Sequence, residues 1–149
     1  AGRVIAIDTG YGQMAARLRS DPRVRLRERT NARYLKPADV GEPADLVVVD
    51  VSFISATLVL PAVIRAVASG QWSVAGEPLE LIVLVKPQFE AGRGKVGKGG
   101  IVRDPEVRQA AVERVRHAVE ELGGRDLEVI ESPILGAKGN REFLLHAVI

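Results

Sequence analysis

An α/β fold with a mostly parallel sheet is predicted by three features of the sequence. Short apolar, β-branched runs recur along the chain, helical stretches separate them, and a charged residue closes each of three runs. Such alternation favours parallel strands joined by crossover helices. Arg3–Ile7 ends at Asp8, Asp45–Val49 ends at Asp50, and Leu81–Val85 ends at Lys86. Continuous Val/Ile/Leu runs of this length suit strands covered on both faces.

The remaining elements follow in chain order. Gln13–Arg19 reads as a short helix. Val24–Glu28 alternates apolar residues with arginine, the pattern of an edge strand with one wet face. Ser55–Ala68 places Leu58, Val59, Ala62, Val63 and Ala66 at the spacing of one helix face, with Pro61 set to bend that helix or restart it. Asp104, Pro105 and Glu106 combine a cap, an N1 proline and a first-turn acid, so a helix should start there, run to Leu122 and stop at Gly123–Gly124. Asp126–Glu131 and Glu142–Val148 read as two closing strands. Two loops are long enough to be functional, Gln71–Glu80 and the glycine-rich Gln88–Val102. One domain is expected, without repeats or low-complexity tracts.

Composition narrows the function classes. With 149 residues, 46% of them apolar, the chain can bury one core. A net charge of +2 says little about nucleic acid, but the charge is unevenly spread. Arg17, Arg19, Arg23, Arg25, Arg27, Arg29, Arg33 and Lys36 face only Asp21 and Glu28 in their stretch. Lys86, Arg93, Lys95, Lys98 and Arg103 face only Glu90 in theirs. Either cluster reads as a solvated basic face unless a site lies beside it. The absence of cysteine excludes disulfides, thiol catalysis and cysteine-rich zinc sites. No apolar run is long enough to cross a bilayer and no signal peptide is visible, so a cytoplasmic protein without membrane contact is expected.

Ligands of doubly wound sheets sit outside the carboxyl ends of the strands, which selects Asp8, Asp50 and Lys86. Asp8 can accept hydrogen bonds from ribose hydroxyls, or merely cap the helix that follows. Asp50 and Lys86 end strands expected to be neighbours, so they can meet as a partly buried ion pair, functional or structural. Gly92 and Gly97–Lys98 imitate a phosphate-binding loop, but Gly99 stands where a Ser or Thr should hold magnesium. Gly10 and Gly12 suggest turn chemistry, with Tyr11 a lid over a ligand or a packing residue. His117 and His146 lack partners at metal-ligand spacing, and no metal is expected.

Five segments carry a family resemblance: IDTGYGQ (Ile7–Gln13), ERTNARYL (Glu28–Leu35), VVDVSFIS (Val48–Ser55), LVKPQFEAGRGKVGKGGIVRDP (Leu84–Pro105) and GAKGNREFLL (Gly136–Leu145). In this order, across nearly the whole chain, they resemble the hemolysin A (TlyA) family. The resemblance implies a Rossmann-like, FtsJ-like methyltransferase domain that uses S-adenosylmethionine to methylate the ribose 2′-hydroxyl of a cytidine in 16S and/or 23S ribosomal RNA. It implies a Lys-Asp-Lys-Glu catalytic set, of which Asp50, Lys86 and Glu142 match here. It makes Asp8 the ribose-binding acid, puts Thr30 and Asn31 at the adenine, and counts Asp50 at the cofactor as well.

The family's first catalytic lysine, its glycine-rich cofactor loop and an S4-like RNA-binding domain would lie upstream. The expectation is therefore a partial catalytic domain, lacking the first strand and glycine loop, that binds cofactor weakly alone. A ribose hydroxyl must be aligned with the methyl group and relieved of its proton. The resemblance gives that proton to a lysine pair completed by Lys86 and oriented by Asp50 and Glu142. RNA phosphates are expected at Arg93, Lys95, Lys98 and Arg103, on or beside the glycine-rich loop. The rival reading is a non-enzymatic RNA- or ribosome-binding protein, or a hemolysin-like one.

Overall fold

The computed structural model describes residues 1–68, 78–92 and 94–149. Its strands form two sheets, and the chain divides into two compact units where one domain was expected. Residues 1–43 and the part of the third α-helix from Ala62 onward make the first unit; the rest of the described chain makes the second.

In the first unit β1 (Val4–Ile7) and β2 (Val24–Arg27) run parallel, with Val4 opposite Val24 and Ile7 opposite Arg27. Between them α1 (Ala16–Arg19) is a single turn, shorter than the sequence suggested. Gly12, at φ +72°, turns the chain before it, and Ala15 has no side-chain oxygen to cap it. After β2, the Asn31 side chain accepts from Arg33 N–H at 3.0 Å and caps the 3-10 turn Ala32–Tyr34. Then α2 (Pro37–Val40) starts on proline and stops at Gly41 in the left-handed region. Leu35 and Val40 are its buried residues outside α3 (Leu60–Ala68).

The stretch Ser55–Ala68 does break at proline. A 3-10 turn, Ala56–Leu58, capped by Ser55, precedes α3. Pro61 sits in the first turn of α3, where its missing N–H leaves no hydrogen bond unmade.

The second unit holds a four-stranded sheet in the order β3 (Leu46–Val49), β4 (Glu80–Val85), β6 (Phe143–Val148), β5 (Arg125–Glu131). β3 and β4 are parallel, whereas β6 is antiparallel to both β4 and β5. The sheet is therefore mixed rather than mostly parallel. The connection from β5 to β6 carries no crossover helix, so β6 turns back and enters between β4 and β5. Leu81, Val83 and Val85 of β4 and Leu145 and Ala147 of β6 are fully buried, and α5 (Pro105–Glu121) lays Ala111, Val112, Val115 and Val119 into the same core. The start of α5 is built as its sequence suggests: the Asp104 carboxylate accepts from Glu106 N–H at 2.9 Å and Pro105 is the first residue.

β3 departs from the expected burial, because Leu46 is 50% and Val48 62% exposed. Among the described residues β3 pairs only with β4, and β1 only with β2, so each keeps one free edge. Most of the Gln71–Glu80 loop, including Trp72, lies outside the described residues. No helix among them is long and apolar enough to cross a membrane.

Candidate active site

Strand register gathers three charged residues at one end of the four-stranded sheet. Asp50 follows Val49 of β3 and Lys86 follows Val85 of β4. Val85 lies opposite Phe143, so Glu142 enters the neighbouring β6 beside Lys86's exit. Lys86 Nζ lies 2.6 Å from Asp50 Oδ1 and donates to Ser52 Oγ at 3.0 Å. Its side chain is only 13% exposed against 60% for Asp50, so the lysine stem is covered while the carboxylate opens to solvent. This is the partly buried pair the sequence suggested. Ser52, its third member, was not foreseen.

The short helix α4 (Pro87–Glu90) follows Lys86 directly and ties the site together. Gln88 Nε2 donates to Glu142 Oε1 at 2.9 Å. Phe89 meets Phe53, ring centroids 5.2 Å apart and planes tilted by 52°. Phe53 is 91% exposed and holds φ at +64°, an uncommon conformation for a bulky residue. Buried Glu90 accepts from Ser55 Oγ at 2.5 Å and Ala56 N–H at 2.7 Å, while its own carbonyl accepts from Arg114 at 2.6 Å. Burial pushes the Glu90 carboxyl above its ordinary range, against the pull of these two donors and the Arg114 charge. Glu142 is buried too and forms no ion pair with Lys86 or Asp50 among the described residues; Gln88 is its link to the lysine end.

The glycine-rich loop is held by one buried amide. Asn140 accepts from Val102 N–H at 3.0 Å and donates to the carbonyls of Gly100 (2.8 Å) and Ala137 (3.1 Å). Lys95, Lys98 and Arg103 are exposed on or next to this loop, without an ion pair among the described residues; Arg93 lies outside those residues. The loop ends in turns, and the next helix begins only at Pro105, so its likeness to a phosphate-binding loop goes no further.

Asp8, Thr30 and Asn31 come together in the first unit. Asp8 Oδ1 accepts from Gly10 N–H at 2.6 Å and its carbonyl from Thr30 N–H at 2.9 Å, so the carboxylate folds its own turn rather than capping α1. Asn31 spends its side-chain oxygen on the 3-10 turn. Gly12 N–H reaches Glu28 at 2.6 Å, and the Arg29 guanidinium lies 4.3 Å above the ring of Tyr11, itself 67% exposed. Four of the eight residues of the basic stretch are paired with acids. Arg19 pairs with Glu28 and Arg23 with Asp21, holding both carboxyls below their ordinary range, while Arg25 and Arg27 meet Glu42 and Asp39, acids just beyond the counted stretch.

Residues 1–148 match the FtsJ-like methyltransferase family, and the chain belongs to it. It is 47% identical over 145 residues to the "16S/23S rRNA (cytidine-2'-O)-methyltransferase TlyA" of Mycobacterium tuberculosis, covering 97% of this chain and 51% of that protein. "Hemolysin A" of Brachyspira hyodysenteriae is 37% identical over 150 residues, covering 100% of this chain and 59% of that protein. Among solved structures, a "putative hemolysin" from Streptococcus thermophilus superposes with a TM-score of 0.86 at 39% identity, over 99% of this chain and 51% of that one. The chain thus spans about half the length of the curated relatives it matches.

Proposed function

We propose that this chain carries the reacting end of an enzyme that transfers a methyl group from S-adenosylmethionine to a ribose 2′-hydroxyl of ribosomal RNA, at a cytidine. The observation that carries the proposal is the Lys86–Asp50 pair at the end of adjacent parallel strands, with Glu142 entering the next strand beside it. The printed activity of the M. tuberculosis relative supports the substrate.

The residues present suit the cofactor. Asp8 is exposed at a strand end and uses only Oδ1 internally, leaving a carboxylate oxygen for ribose hydroxyls, with Thr30 and Asn31 beside it. When bound, S-adenosylmethionine supplies a methyl group already activated by its sulfonium, so the reaction calls on no metal. What remains for the protein is to align the attacking hydroxyl and take its proton. Lys86 would take that proton only as the neutral amine, having first passed its own proton to Asp50 or to solvent; Asp50 and Ser52 fix the direction of Nζ, and Glu142 is assigned to orienting the hydroxyl. Exposed Phe53 offers an aromatic face on which an unstacked base can lie. Lys95, Lys98 and Arg103 are assigned to RNA phosphates, which makes a ribosomal subunit in the cytoplasm the natural partner.

The free edge of β3, with Leu46 and Val48 exposed, suits one further parallel strand, and the glycine-rich loop implied by the family resemblance would follow such a strand. Calorimetry should therefore find weaker S-adenosylmethionine binding to these residues alone than to a longer chain. The direct test incubates the longer protein with ribosomal RNA and labelled S-adenosylmethionine, then asks whether the label blocks alkaline cleavage beside one cytidine. Methyl incorporation there, lost in Lys86→Ala and Asp50→Ala with the fold retained, is expected. RNA binding without incorporation would instead make the protein a binding module.

A further inference from the structure

Lys86, Gln88, Phe89 and Glu90, in and just before α4, each reach a different part of the site, and Gln88 is unlike the rest. Its amide nitrogen donates to Glu142 across 54 residues of sequence. Its carbonyl oxygen, Oε1, is buried without a hydrogen-bond partner, the single such side-chain atom among the described residues. Flipping the amide would satisfy nothing, because it would turn that oxygen toward the Glu142 carboxylate, which itself only accepts while ionised. The orientation is therefore forced by Glu142, and an unmet buried acceptor is the consequence. An unmet buried acceptor is destabilising, so a residue chosen for folding alone would not be a glutamine here.

Glu142 is confined from a second direction. Gly136, in the turn before β6, lies so close that a Cβ placed on it would overlap the Glu142 carboxyl group. Its backbone needs no glycine, since φ is −75°. The missing side chain at position 136 is thus explained by room for the carboxyl, not by conformation.

We propose that Gln88 is a positioning residue for methyl transfer: with Gly136 it fixes the Glu142 carboxylate in one orientation, and the unmet Oε1 is the cost of that hold. The proposal rests on the assignment of Glu142 to the reacting set. Burial of Glu142 between these two neighbours leaves its side chain little rotamer freedom, which is what pre-orientation of a substrate hydroxyl requires.

Three variants test it, made in protein that shows methyl transfer. Gln88→Leu removes both the donor and the unmet acceptor. It should lower the thermal midpoint modestly, because buried Glu142 loses its donor, and should lower kcat by roughly tenfold or more while changing KM for RNA and cofactor little. Gln88→Glu places two carboxyls side by side, so one retains its proton to higher pH and the acidic limb of the pH–rate profile should move upward. Gly136→Ala, which the backbone accepts, should lower kcat as Gln88→Leu does by pushing the carboxyl aside. A Gln88→Leu protein with full kcat, or one that loses stability while keeping kcat, would overturn the proposal, as would an unmoved pH profile in Gln88→Glu. Glu142→Gln separates the levels. If it is inactive while the Gln88 variants are normal, only this inference fails; if it is fully active, the assignment of Glu142 fails with it.

Discussion

In the first unit, Arg19 and Glu28 are 9 residues apart, Arg23 and Asp21 are 2 apart, Arg27 and Asp39 are 12 apart, and only Arg3 and Glu42 among these span as many as 39, all at or near the surface. In the second unit Lys86 reaches Ser52 across 34 residues, Glu90 reaches Ser55 across 35, Asn140 reaches Gly100 across 40 and Gln88 reaches Glu142 across 54. Close exposed pairs form whenever a basic stretch meets acids nearby, and water replaces them readily when they are lost. Polar groups that cross-link distant, half-buried segments must be ordered together, and their partners are stranded if one is removed. Polar order in this molecule is concentrated where the strand ends meet α4, and that is where the chemistry is assigned.

The largest expected effect that sharpens this contrast is on stability. Asn140→Ala strands Val102 N–H and two carbonyls, and should cost about 2–4 kcal/mol in urea unfolding. A cost comparable to that of a surface variant would remove the distinction between the units. Glu90→Gln should have a smaller effect whose dependence on pH carries the information. The Glu90 carboxyl is raised in the folded protein, so between its ordinary value and the raised one the folded state holds a proton that the unfolded chain has released. Wild-type stability therefore falls as pH rises through that window and levels off above it, while glutamine does not titrate. The stability advantage of wild type over Glu90→Gln should shrink as pH rises above the ordinary carboxylate range and then level off, and an advantage that grows would contradict the assignment.

A lesser change is expected in binding. Lys98→Glu should weaken ribosomal RNA and flatten the dependence of its affinity on salt by roughly one to two charges. An unchanged slope would return that loop to the class of solvated faces. Smallest of all, Arg19→Ala should leave the thermal midpoint where it was, since its partner Glu28 also holds Gly12 N–H and both groups reach water.

Much of the second unit was legible in the sequence because apolar period and capping residues act locally. The limits of α5, from Asp104 to the Gly123 stop, follow from cap, proline and glycine chemistry that depends on no distant partner. The Lys86–Asp50 pair followed from two strands ending at the same sheet edge. Strand direction was less legible. A run such as Phe143–Val148 reads the same in either direction, and only its entry between β4 and β5 makes it antiparallel. The exposure of Leu46 and Val48 was hidden for the same reason, since the strand pattern says what a face can bury, not what lies beside it.

Among site residues, Ser52, Gln88 and Asn140 left no trace in charge or periodicity. Each is a neutral polar group whose partner lies more than thirty positions away. The signal available for Gln88 was its place in a Lys-Pro-Gln-Phe-Glu run after a strand, and for Asn140 its place between a glycine and the strand that Glu142 enters. Two of the eight basic residues at Arg17–Lys36, Arg25 and Arg27, lost their apparent excess because the linear count stopped short of Asp39 and Glu42.

Methyl transfer by Lys86→Ala, Asp50→Ala, Glu142→Ala and the triple variant bears most directly on whether these side chains act as one reacting unit. Groups that act together lose about as much singly as collectively, so each single variant should fall roughly a hundredfold or more, and the triple variant little further. Single variants that retain activity, or losses that multiply in the triple variant, would show that the three do not work as one.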